Sequence, residues 1–207
     1  YLKGSKWNMQ RRTRRSNPLR VIFLLVLVAG LIYFNERVVP SIPAPFVPTA
    51  VPTRSPDAYI IDAQTLESEG KYTGAIQAYS EAIKVDPRNP TTYIALARLL
   101  IYTGQYQDAI TNAENALLLS ENNTQAYAYR GWAQGLSGDY LNGVASLKTS
   151  IQLDPNNASA YAYLAEVLIL QKQAGQDTLT TLDEAIQASR RAQDLAPTAM
   201  ETYRARG

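Results

Sequence analysis

Residues 56–89 read PDAYIIDAQTLESEGKYTGAIQAYSEAIKVDPRN, and this stretch decides the fold because its landmarks return at intervals of thirty-four residues. With Pro56 as position 1, Tyr59, Ala63 and Leu66 share one helical stretch, and Gly70 and Tyr72 mark a turn. Ala75, Tyr79 and Ala82 share a second stretch, which Pro87 ends. A copy from Pro90 repeats Tyr93, Ala97, Leu100, Gly104, Tyr106, Ala109 and Ala116. A third from Thr124 repeats Tyr127, Gly131, Gly138, Tyr140, Gly143 and Pro155. A fourth from Ala158 keeps Tyr161, Ala165 and Leu168, and resumes with Ala185, Ala192 and Pro197 after an apparent insertion at 173–180, expected as a surface loop.

Each copy predicts two antiparallel helices. Small residues at 63, 97, 131 and 165 face small residues at 75, 109, 143 and 185, where a larger side chain would force the pair apart. Gly70, Gly104 and Gly138 supply the permissive backbone of a tight interhelical turn. One pair cannot bury its apolar faces alone, whereas stacked pairs share a continuous core, so four copies are enough to fold. Met200 falls at position 1 of a partial fifth copy, 200–207.

The motifs Y-I-I-D-A-Q-T-L at 59, Y-I-A-L-A-R-L-L at 93, Y-A-Y-R-G-W-A-Q at 127 and Y-A-Y-L-A-E-V-L at 161 resemble the tetratricopeptide repeat (TPR). The resemblance implies an all-α, right-handed solenoid of about four helix-turn-helix repeats, at 56–89, 90–123, 124–157 and 158–199. It also implies a concave groove lined by the first helix of each repeat, with contacts from positions 2, 5, 9, 12 and 13. Carried onto this sequence, those positions include Ile60, Gln64 and Glu67, then Ile94, Arg98, Ile101 and Tyr102. They continue with Ala128, Trp132, Gly135 and Leu136, and with Ala162, Glu166 and Ile169.

Chaperone-binding relatives grip a C-terminal carboxylate with Lys, Asn and Arg, but Ile60, Gln64 and Ile94 stand where such polar groups belong. A protein partner presenting an apolar or aromatic peptide, helix or subunit surface is therefore expected. Trp132 reads either as the anchor for that partner or as a filler between repeats. Arg130 and Gln134 make the third repeat polar inside, with an ion pair from Arg130 to Asp139 as one expectation.

The chain of 207 residues contains no Cys and no His, which removes thiolate and imidazole ligands, a cysteine nucleophile and the commonest general base. No nucleophile–base constellation stands out, so the reading is of a non-enzyme that needs no cofactor or metal. The net charge of +2 hides a division. Seven basic residues and no acid lie in the first twenty, and the remainder holds thirteen bases against eighteen acids. An acidic body argues against a nucleic-acid partner.

Val21 to Phe34 is an uncharged apolar run, and widening it to 19–39 gives a length that crosses a bilayer core of about 30 Å. The basic tail 1–18 before it predicts a cytoplasmic N-terminus and repeats on the extracytoplasmic side. A cleaved secretory signal is the competing reading, although no small-x-small site follows Phe34. Residues 40–55, with Pro40, Pro43, Pro45, Pro48 and Pro52, predict an extended stalk. The expectation is a single-pass membrane protein whose repeats at 56–207 serve a larger complex as a subunit or assembly factor, or transiently bind exported clients as an adaptor.

Overall fold

The computed structural model describes residues 17–38, 54–176 and 178–205, and its chain divides into an N-terminal unit and a second unit beginning at Arg54. All but the last two residues of the expected basic tail and of the Pro-rich stalk lie outside the described residues.

In the first unit, helix α1 runs Pro18–Tyr33 and passes into a π-helical turn at Phe34–Val38. Proline suits the first helical position, where its missing N–H has no partner to lose. Pro18–Glu36 spans nineteen residues with a mean hydropathy of 2.0, and none of it is buried within the protein. At 1.5 Å per residue that is about 28 Å of helix. By length and composition this segment is a candidate membrane span or signal sequence.

The second unit contains nine helices among its described residues: α2 Pro56–Ser68, α3 Tyr72–Val85, α4 Pro90–Tyr102, α5 Tyr106–Leu119, α6 Thr124–Leu136, α7 Tyr140–Leu153, α8 Ala158–Gln173, α9 Thr181–Leu195 and α10 Met200–Arg204. The pairs α2–α3, α4–α5, α6–α7 and α8–α9 pack together, and each second helix packs on the next first helix through α8. First helices also touch along the stack, α4 on α6 and α6 on α8, whereas α5, α7 and α9 make no comparable contacts with one another. The stack therefore curves with the first helices on its inner side.

Local chemistry sets the turns. Gly70, Gly104 and Gly138 adopt φ of 73°, 77° and 92°, a left-handed conformation that glycine takes without strain. The N–H groups of Lys71, Gln105 and Asp139 reach back to the carbonyls of Leu66, Leu100 and Gln134, closing each helix end. In the fourth repeat Gly175 does the same at φ 70°, because α8 continues to Gln173 before turning. Of the described residues in the expected insertion at 173–180 only Gln173 is helical, and Leu179 in the segment that follows is fully exposed.

Asparagine starts three of the first helices: Asn89, Asn123 and Asn157 accept from the N–H groups of Thr91, Ala126 and Ala160. Asn157 also donates to Ser150 Oγ at 3.2 Å, tying the start of α8 to α7. Helices α6 and α7 approach closely. A Cβ on Gly131 would lie 2.7 Å from the Gly143 carbonyl oxygen, and one on Gly143 2.8 Å from that of Gly131. Glycine is required at both because backbone meets backbone.

Candidate functional site

The inner side of the stack carries a row of aromatic rings that crosses three repeats. Tyr163 of α8 stacks on the Trp132 indole of α6 with centroids 4.2 Å apart and planes 2° from parallel. Tyr102 of α4 meets Trp132 edge-on at 5.9 Å, and Tyr129 tilts against Tyr163 at 6.1 Å. Such pairs each contribute about 0.5–1.5 kcal/mol beyond the area they bury.

Two guanidinium–carboxylate pairs also occupy this side. Arg98 of α4 donates to Glu67 of α2 at 2.6 Å, joining the first two repeats. Arg204 of α10 donates to Glu166 of α8, also at 2.6 Å, and its guanidinium carbon lies 4.8 Å from the Trp132 ring centroid. The second Glu166 oxygen accepts from Trp132 Nε1 at 3.0 Å. One carboxylate thus fixes the indole and holds a cation against it.

Electrostatics here favour neutral phenols. Burial raises the Tyr129 hydroxyl to about 12 and pushes Tyr163 up as well, with Arg98 working against the first and Arg204 against the second. Burial also raises Tyr102, with the Glu201 carboxylate adding to the effect. For Arg98 burial opposes the charge, but Glu67 and the facing hydroxyls of Tyr129, Tyr102 and Tyr79 leave its pKa raised. Beside these groups opens a cleft of about 250 Å³, lined by Ile94, Arg98, Asn123, Gln125 and Tyr129, with Thr91 and Ala95 completing it.

The positions carried over from the sequence divide by accessibility. Gln64 is exposed and Tyr102 is 44% exposed, while Ile60, Arg98, Leu136, Glu166 and Ile169 are half-buried. Ile94, Ile101, Ala128 and Ala162 are buried. Trp132 is only 1% exposed and fills the space between repeats, the filler role that its sequence left open beside that of anchor. Gly135, expected on the groove, is instead where α8 presses in, since a Cβ there would lie 2.2 Å from Val167 Cγ2.

Arg130 departs from the expected ion pair with Asp139. Its Nε donates to Ser146 at 3.2 Å, Ser146 donates on to Gln134, and its guanidinium lies over the Tyr127 ring. Asp139 caps α7 instead, accepting from the Asn142 backbone and side chain.

Tyr129, Tyr163, Glu201 and Arg204 join the site without having been singled out. Glu201 and Arg204 occupy positions 2 and 5 of the partial fifth copy, so continuing the groove positions one repeat further finds both. Tyr129 and Tyr163 sit at position 6, one residue past a groove position, where helix rotation brings them to the same face.

A family profile described as TPR repeat matches residues 64–101, and one described as Tetratricopeptide repeat matches residues 90–123. No curated protein matches the chain. Among solved structures the fold is similar to that of MamA, at 23% identity over 72% of this chain and 78% of that one, with a TM-score of 0.56. It is also similar to the Arabidopsis OM64 TPR domain, at 23% identity over 56% and 95% of the two chains and a TM-score of 0.53. A third is the first TPR of Spaghetti (RPAP3) bound to the HSP90 peptide SRMEEVD, at 20% identity over 62% and 99%, TM-score 0.53. At these identities the likeness is one of fold.

Proposed function

We infer from its membership of the tetratricopeptide repeat family that this chain is a protein-interaction scaffold, and we propose that it works at a membrane as a non-catalytic subunit or assembly factor of a membrane or cell-envelope complex. The inner face supports this reading best. It offers a half-exposed tyrosine, two partly exposed arginines and a cleft lined by Ile94, Arg98 and Tyr129. A partner can bury aromatic area there and still satisfy the surrounding donors and acceptors.

The apolar helix α1 supports an anchor, and the basic residues before it support a cytoplasmic N-terminus with the repeats across the membrane. The first TPR of RPAP3 is bound to an HSP90 peptide, whereas Ile60 and Ile94 of this chain are apolar and offer no hydrogen bond to a terminal carboxylate. A different peptide or subunit surface fits better. Transient binding of exported clients is the alternative. Purification of the full chain in mild detergent separates the two: fixed neighbours in stoichiometric amounts support the subunit, and a free monomer overturns it.

A further inference from the structure

The geometry points to a receptor site for a basic side chain of the partner, walled by Trp132 and Glu166 and filled in cis by Arg204 until an arginine or lysine of the partner displaces it. This rests on the reading of the inner face as the partner-binding surface.

The walls are set before any cation arrives. Tyr163 covers one face of the Trp132 indole in a parallel stack at 4.2 Å, so the guanidinium 4.8 Å from the ring centroid takes the other face. Glu166 is oriented by the indole N–H on one oxygen, which leaves the other aimed at the cation. An aromatic face beside a fixed carboxylate selects a cation that can stack and donate together, and a guanidinium does both.

The occupant is within reach of solvent. The Arg204 side chain is 39% exposed, and it reaches across thirty-eight residues of sequence to Glu166. If Arg204 swings away, Glu67, Glu166 and Glu201 remain near the aromatic row, with Arg98 the one cation beside them among the described residues. That imbalance attracts a positive group, in keeping with the eighteen acids and thirteen bases outside the first twenty residues.

A library of randomised dodecapeptides, panned in parallel against the full chain in mild detergent and against its Glu166→Gln and Arg204→Ala variants, tests the site. Circular dichroism and melting confirm that each variant is folded. The expected result is enrichment of Arg or Lys in the bound peptides, with affinity roughly tenfold weaker for Glu166→Gln and roughly tenfold tighter for Arg204→Ala, the scale of one charge-assisted cation–π contact. Bound peptides without basic enrichment, or basic peptides indifferent to Glu166→Gln, overturn the cation site and leave the inner-face reading standing. If no peptide binds any folded variant, both readings fall.

Discussion

The indole N–H of Trp132 donates to the Glu166 carboxylate at 3.0 Å, so two side chains at the same register position of successive repeats are bonded across the joint between them. Together with the Tyr163 stack this makes Trp132 a rivet between the third and fourth repeats. Trp132→Ala is expected to cost about 3–5 kcal/mol, as truncating a buried aromatic does. Urea unfolding checks it, and a loss below about 1 kcal/mol would show that the ring is not part of the core.

Gly135 is held small by α8. Since its added Cβ would meet Val167 Cγ2 at 2.2 Å, Gly135→Ala is expected to destabilise by about 1–3 kcal/mol. Val167→Ala makes room, so in that background the same substitution is expected to cost much less. A double-mutant cycle by thermal melting reads the difference, and simple additivity would contradict the packing described.

The repeat phase was legible because a thirty-four-residue interval places Tyr59, Tyr93, Tyr127 and Tyr161 on equivalent turns without reference to anything distant. Gly131 and Gly143 were legible for the same reason, being small where every other copy is small. Trp132 was not, since a residue near the edge of a helix face is turned inward or outward by its neighbours, here Tyr102 and Tyr163. The partner of Arg130 was not legible, because Ser146, sixteen residues away, is one that no local pattern announces. Gly175 escaped notice because α8 is sixteen residues long where the earlier first helices have thirteen, which shifts the turn out of register.

That shifted turn carries its own test. Gly175 holds φ at 70°, so Gly175→Ala is expected to cost about 1–2 kcal/mol through backbone strain alone, there being no atom within 4 Å of the added Cβ. Gly175→Asn is expected to cost less, because asparagine tolerates this conformation better. Equal losses for the two variants, read from melting curves, would contradict the account.

Alkaline pH tests the phenol cluster. Burial lifts Tyr129 from 10.0 to about 12 in the fold, so its contribution is complete below about pH 10, where the unfolded chain's phenol is protonated too. As pH rises from about 10 to about 12 the unfolded chain releases the proton first, and that stability is lost. Urea midpoints followed across this window are expected to fall, and Tyr129→Phe to flatten the fall. Absorbance near 295 nm follows the phenols directly, and titration of all tyrosines near their ordinary value would count against the burial.

If the inner face of the stack holds the partner, capture by paired variants reveals it. Arg98→Ala combined with Tyr102→Ala alters the inner face, whereas Leu118→Ala trims a residue that is 85% exposed on the second helix α5. Each full-length variant is purified in mild detergent with its native neighbours, and its fold is checked by circular dichroism. The inner-face variant is expected to lose its neighbours while Leu118→Ala keeps them. Retention by the inner-face variant together with loss by Leu118→Ala would contradict it.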